Sequence, residues 1–408
     1  MKGTTMLSRL LHWLPRRRPD EDAFAQHFVR AARRAGVIVP LHYNRALFRI
    51  DLEKGGHVNL HNAHRRYLSS PRHLQEQVVA RYVAWLVGDH PVHDPLQEVR
   101  SRLLPVLRNA SLLDQTKLAA AEKAGWDEDA SFQYHRVSNE CVVLLGVDSE
   151  EHTLIKPEGP DASWGIDLEH ALAVARGNLR EQPDLPFEQA ADGVFKAAWG
   201  DGYNSSRALL PDMLHRIPLR GLPVFMIPTR DLLLVAGDRD LDAQATLFRL
   251  AEEGIEDGYA VSWELFQYVD GEMEPVEPAT PQLRSLQRRL RLQLQEGNYA
   301  VQQELLTHLH QVQGNHVFVA AYGINMKAER SFCYWAEGVE VSLPKTDCIV
   351  LAAPDIDTEP MMVEWEAAMP VIGHLLEQDH RHIHPPRYRA HECPNRELQA
   401  QLTPVSFD

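Results

Sequence analysis

The sequence is short of the features that announce a chemistry. Of its 408 residues only four are cysteine (Cys141, Cys333, Cys348 and Cys393), and no two form a CxxC pair. That excludes a disulfide-stapled secreted scaffold and the commonest zinc-ribbon spacing. Thiols this scattered in a long chain read as reduced, which places the protein in the cytoplasm. No apolar run approaches the roughly 18 residues that a membrane span requires. There is no GxSxG elbow, no GxxxxGK[S/T] loop, no HExxH, and no GxGxxG after a strand, so the familiar hydrolase, nucleotide and zinc-protease machines are missing in their usual form. Catalytic groups can also be assembled from distant residues. The lack of a reaction motif therefore favours a non-enzymatic protein without excluding an enzyme. Repeats and low-complexity tracts are absent too. Positive charge is in deficit, 42 Lys and Arg against 57 Asp and Glu for a net charge of -15, which argues against a broad phosphate-binding face; no nucleic-acid partner is expected.

What is present is ordinary globular composition, 44% hydrophobic and 24% charged. The length implies two or three domains. Residues 1–20 read as a separate basic amphipathic tail: Met6, Leu7, Leu10, Leu11 and Leu14 recur at helical spacing, and Arg16, Arg17 and Arg18 follow. The order of charge and apolar core is wrong for a secretory signal. Residues 6–18 could touch an anionic membrane surface, or cover part of the fold.

Residues 21–113 read as an N-terminal α+β unit: a helix capped by Asp22 and ending at Gly36, short strands over 37–40, 46–52 and 57–60, and helices around Leu74–Leu86 and Val99–Leu107. A polar, partly helical bridge occupies 114–129. Residues 130–275 form a central α+β domain with strands over 132–137, 141–147 and 152–156, a helix over 167–180, a hairpin, a helix over 241–252 and a strand over 261–268. The segment PVEPATP (275–281) reads as a linker. Beyond it, 282–400 is read as an αα-hairpin broken at Gly297-Asn298, followed by a small α+β domain. The fold class expected is thus α+β, mostly antiparallel sheets with helices on one face.

The central stretch WGDGYNSSRALLPDMLHRIPLRGLPVFMIPTRDLLLVAGD (199–238) concentrates polar residues at turns. Ser205 or Ser206 is read as the N-cap of a helix, and 222–227 with 232–236 as a buried hairpin. Its candidate binding patch is Asp201, Tyr203, Asn204, Ser206, Arg207, Arg230 and Asp231, where exposed backbone N–H groups and guanidinium forks could hold an anion. The plainer alternative makes these residues turn formers and caps. The histidine-rich segment HRHIHPPRYRAHEC offers His380, His382 and His384, which alternate and would share a face on a strand. Without a CxxC or HxxxH pair beside them they make a weak metal candidate, and neither metal nor cofactor is expected.

Four segments carry a family likeness: EVRSRLLPVLRNASLL (98–113), WGIDLEHALAVARGNLRE (164–181), WGDGYNSSRALLP (199–211) and VFMIPTRDLLLVAGD (224–238). In that order the chain resembles the YtpQ-like family of bacterial proteins (domain of unknown function 1444). The last 120 residues or so resemble the C-terminal extension of longer members. The resemblance implies a cytoplasmic bacterial protein and brings no reaction with it. Asn204 stands where an acidic residue is expected in that family, which weighs against a metal in the loop. The reading that results is a non-enzymatic binding or adaptor protein for a protein partner or small anionic ligand. Its rivals are a hydrolase or transferase working from Asp201, Arg207, Arg230 and Asp231, and a peripheral membrane protein.

Overall fold

A computed structural model describes residues 19–37, 41–44, 48–52, 57–87, 95–124, 132–149, 153–199, 201–256, 260–352, 360–379 and 383–407. The expectations for the tail of residues 1–18 and for His380 and His382 lie outside the described residues. The chain forms two compact units, Met1–Asp94 with Asp148–Leu154, and Pro95–Val147 with Ile155–Asp408.

In the first unit α1 (Pro19–Arg34) carries Phe24, Ala25, Phe28 and Ala32 on one buried face. It starts with proline, whose missing N–H costs nothing at that position. Asp22 is therefore not its cap; the carboxylate accepts the Tyr43 hydroxyl instead (2.9 Å). The helix ends at Gly36 with φ +94°, a left-handed turn that glycine adopts without a Cβ penalty. The strands β1 (Leu41–Asn44), β2 (Arg49–Leu52) and β3 (His57–Asn59) form an antiparallel meander. Then come α2 (His61–Ser69) and α3 (Arg72–Val87). The sequence reading missed α2, which is short, polar and without a side-chain cap. It is held by packing: His64 and Tyr67 lie 4.9 and 5.1 Å from the Phe24 ring.

The second unit opens with α4 (Leu96–Val99), β4 (Leu103–Asn109) and α5 (Ser111–Ala124). The expected helix over Val99–Leu107 is thus mostly a strand. Pro105 explains the difference, since a proline in a helix interior removes a hydrogen bond and clashes with the preceding turn. On an edge strand it does little harm, and β4 ends its sheet. β5 (His135–Arg136), β6 (Cys141–Asp148) and β7 (Thr153–Lys156) follow, with β4 pairing antiparallel along β6 from Leu103↔Val147 to Asn109↔Cys141. The first domain boundary therefore falls before β4, not after residue 113. Next, α6 (Leu168–Arg180) is capped by Asp167 as expected, its Oδ1 accepting the His170 N–H (2.8 Å).

The central sheet has the order β13-β12-β10-β11-β9-β8. It is built from β8 (Glu188–Ala191), β9 (Val194–Lys196), β10 (Pro223–Thr229), β11 (Leu232–Gly237), β12 (Leu265–Val269) and β13 (Glu272–Val276), with α7 (Pro211–Leu214) and α8 (Leu241–Glu256) between strands. The hairpin β10–β11 is buried on both faces, which is why its strands read as unbroken apolar runs. Phe225, Ile227, Leu233 and Val235 pack toward β4, β6 and α6. Val224, Met226, Leu234 and Ala236 pack toward α8 and the long helix that follows.

That helix, α9 (Pro281–Gln313), replaces both the linker and the αα-hairpin expected from sequence. Part of PVEPATP completes β13, and Thr280 caps α9 through its Oγ1 (3.2 Å to the Leu283 N–H). Gly297-Asn298 does not break it, because the buried face runs on from Leu290 and Leu294 to Tyr299, Gln302, Leu306 and Leu309. A mid-helix glycine costs only about 1 kcal/mol, less than losing that face. Gly314, with φ +71°, ends the helix. The last two sheets are β14-β17-β21-β20 and β15-β16-β18-β19. Their strands are β14 (Val317–Val319), β15 (Gly323–Asn325), β16 (Arg330–Ala336), β17 (Glu340–Pro344), β18 (Cys348–Ala352) and β19 (Met361–Glu364), then β20 (Leu376–Asp379) and β21 (Arg387–Ala390) after α10 (Trp365–Ile372). The short helix α11 (Arg396–Gln399) follows. Residues 282–400 are not a separate domain: Leu283 and Leu290 pack with α8, while Leu306 and Leu309 pack with Leu118 and Ala121 of α5. The architecture is α+β with mostly antiparallel sheets, β14·β17 and β16·β18 being parallel pairs.

Candidate functional site

The expected patch is present as a fold feature, but it closes on itself. Asp201 accepts the Tyr203 N–H (2.9 Å) and takes Arg207 in a two-pronged pair, Nη1 to Oδ1 at 3.1 Å and Nη2 to Oδ2 at 2.7 Å. The Arg207 side chain is 1% exposed, and its guanidinium lies over the Trp199 ring at 4.3 Å. The fork and one face of this cation are thus spent inside the protein. Ser205 and Ser206 are buried in a short 3-10 turn and cap nothing. Asn204 occupies the cap position, yet its side chain ties two loops together, Oδ1 accepting the Trp199 N–H and Nδ2 donating to the Asp231 carbonyl. An exposed anion fork made of Arg207 and Arg230 does not form.

Arg230 behaves differently. It sits at the β10–β11 turn with its side chain 25% exposed, and its Nε donates to Asp231 Oδ2 at 3.2 Å. Its charge acts on a residue that the sequence reading passed over, Arg108 of β4. Its Nη1 donates to the Leu107 carbonyl at 2.8 Å. Burial first, and then the charge of Arg230, push the Arg108 guanidinium down to about 10, against the opposing pull of Asp231 and Tyr203. The charges of Arg230 and Asp231 thus both act on the Arg108 guanidinium. Once 103–109 is taken as a strand, Arg108 is its one charged residue among buried neighbours, and that was the signal available in the sequence.

A second polar group is largely internal. Asn109 Nδ2 donates to Glu140 Oε2 (3.2 Å) and to the Val261 carbonyl (2.7 Å). His384 Nε2 lies 3.3 Å from Glu140 Oε2, and the His384 backbone N–H donates to Asp114. Ser138 and Ser262 both donate to Glu264. Burial pushes Glu140 up, but His384, Asn109 and the Trp263 indole outweigh it and hold this carboxyl below its ordinary value. For Asp114 burial wins, and its carboxyl rises to about 6. Glu264 is raised for the same reason. Of the three histidines in the weak metal candidate, His384 is the one described, and it serves these carboxylates. Among the described residues no group of three His, Cys, Asp or Glu is placed to hold a metal ion.

All four cysteines are free thiols, three of them buried. Among the described residues no helix is long and apolar enough to cross a membrane. Compared with family models, with curated proteins and with solved structures, the chain matches none, so its chemistry has to be argued from its own residues.

Proposed function

We propose that this is a non-enzymatic binding protein that takes an anionic group, a carboxylate or phosphate on a small ligand or on a partner protein, at the β10–β11 turn. The observation that carries the reading is that the Arg108 guanidinium feels the charges of both Arg230 and Asp231 at the turn. An incoming anion relieves the repulsion between the two guanidinium groups and meets forks suited to two-pronged hydrogen bonding. Asp231, 52% exposed, is the group such an anion would displace from Arg230. The hydrolase or transferase reading draws no support from Asp201 and Arg207, whose pair is closed. The free thiols suit a reducing, cytoplasmic setting.

The test is thermal melting and calorimetric titration with inorganic phosphate and with phosphoserine. Wild-type protein should bind and melt higher, whereas Arg230→Ala and Arg108→Met should lose both responses while remaining folded. Equal responses in wild type and Arg230→Ala would sink the assignment. Mass spectrometry of whatever accompanies the native protein through purification would then identify the physiological ligand.

A further inference from the structure

One fully buried cation of the second unit bonds to no carboxylate among the described residues. Arg387, on β21, is 0% exposed. A guanidinium carries five N–H groups. Here Nε donates to Gln302 Oε1 of α9 (2.6 Å), and Nη1 donates to the carbonyls of Ala320 and Ser342 (3.0 Å each). The two N–H groups that remain are both on Nη2, which is buried and has no partner among the described residues. The same holds for the hydroxyl of Ser342 on β17, also 0% exposed. Buried polar groups are nearly always bonded, and exceptions point to an ion, a ligand or a water. We propose that Arg387 and Ser342 hold one small monovalent anion, of the size and charge of chloride, between α9 and the sheet β14-β17-β21-β20.

The strands bring the two side chains to one face. β17 and β21 pair antiparallel as Ser342↔Arg389 and Pro344↔Arg387, so Ser342 projects from the sheet on the same side as Arg387. That side meets α9. Gln302 reaches Arg387 there, and Val319, which pairs with Ser342 on β14, packs on Leu306 and Leu309. The anion thus becomes part of the joint between the long helix and the sheet.

Charge selects an anion over a water molecule. Asp379 pairs with Arg387 in register across β20 and β21, but its Oδ1 takes Arg389 at 2.9 and 3.2 Å. Glu340, its side chain 33% exposed, is shared by Arg389 and His391 at the rim, where water screens it. Inside, two guanidinium groups face one carboxylate. His310 lies 3.4 Å from Arg389 Nη2 and adds no charge while its Nε2 accepts. Burial pushes the Arg387 guanidinium down to about 10, which still leaves it charged at neutral pH. An anion neutralises the excess and accepts from both donors. A water would leave the charge and would need acceptors for its own protons, whereas Gln302 Oε1 and the two carbonyls are already engaged. Burial selects the size, because Arg387, Ser342 and Gln302 are all 2% exposed or less, leaving no opening for a phosphate ester.

Thermal melting of the full chain in sodium chloride, against sodium gluconate of equal ionic strength, tests the site. Chloride should raise the melting temperature by several degrees and saturate, as a ligand of the folded state does, and bromide should replace it. Ser342→Ala loses one donor and no strand bond, so it should raise the half-saturating chloride concentration several-fold. Arg387→Met, if it folds, should lose the response; if it does not, Ser342→Ala and bromide decide. Arg230→Ala should respond like wild type, which separates this site from the β10–β11 turn. Crystals grown in bromide should show an anomalous peak within hydrogen-bond reach of Arg387 Nη2. Equal melting of wild type in chloride and gluconate would overturn the proposal. So would a wild-type response in Ser342→Ala, a response lost in Arg230→Ala, or a water where the bromide is expected.

Discussion

Arg207 and Arg230 differ in what their loss would leave behind. Removing Arg207 strands Asp201, strips the cation from the Trp199 face and opens a buried space. Arg207→Ala should cost about 3 kcal/mol, the low end for a broken buried pair because Asp201 is partly hydrated. Arg230→Ala should stay within about 0.5 kcal/mol, like other surface changes. Urea unfolding of the two variants separates these outcomes, and a strongly destabilised Arg230→Ala would make the turn arginine structural. Asp114 gives a pH signature. Burial raises its carboxyl from 3.8 to about 6, so the folded state holds this proton more tightly than the unfolded chain does. Stability should therefore grow as pH falls through about 6 toward 4, by about 3 kcal/mol, the free energy that corresponds to the tighter hold on the proton. Glu264 acts in the same sense. Glu140, held low, acts in the opposite sense, its contribution being lost only at pH below its ordinary range. Asp114→Asn keeps an acceptor for the His384 N–H but has no proton to take up. Its gain in stability between about pH 7 and pH 5 should be smaller than that of wild type, and a gain of equal size would mean that Asp114 is not the group responsible.

At the scale of elements, local signals were reliable where they were redundant. Asp167 and the apolar face of Leu172, Ala175 and Leu179 marked α6 from its start and from within. The unbroken apolar runs of β10 and β11 marked a doubly covered hairpin. Reading failed where two patterns coincided: Leu103, Leu104, Val106 and Leu107 fit a helix face as well as a buried strand, and only Pro105 and the distant partner β6 decide between them. It failed also at Gly297-Asn298, a good local stop overridden by the buried face of α9. Gly297 is exposed, and a Cβ there would meet nothing within 4 Å. Gly297→Ala should therefore stabilise the protein by about 0.5–1 kcal/mol. A loss of stability, read by thermal melting, would point to a break in the helix at that residue. The candidate site was legible only in part for the same reason. The turn residues announced themselves, but Arg108 lies on a strand whose apolar pattern also fits a helix, and nothing local says that Arg207 turns inward.

For the whole molecule the boundary at Pro95 has a direct test. A fragment of residues 95–408 should unfold cooperatively. One beginning at residue 114 should not, because it loses β4 and the buried Leu103, Leu104, Val106 and Leu107. Residues 130–275 alone should fail as well, since α9 covers one face of the central sheet. Circular dichroism melts of the three fragments would show it, and a well-folded 130–275 would restore the boundaries read from sequence. The internal bond from His384 to Asp114 spans 270 residues, and that span has a meaning in time. At about 5–20 residues per second, the ribosome needs roughly 15–50 s to bring His384 into being after Asp114 has emerged. Throughout that interval Asp114 and Glu140 sit on growing chain without the histidine that answers them, beside the apolar strand β6. The nascent protein thus waits on a residue 270 positions downstream of Asp114 to close its interior, and in the cell its yield should depend on whatever shields that strand until His384 emerges.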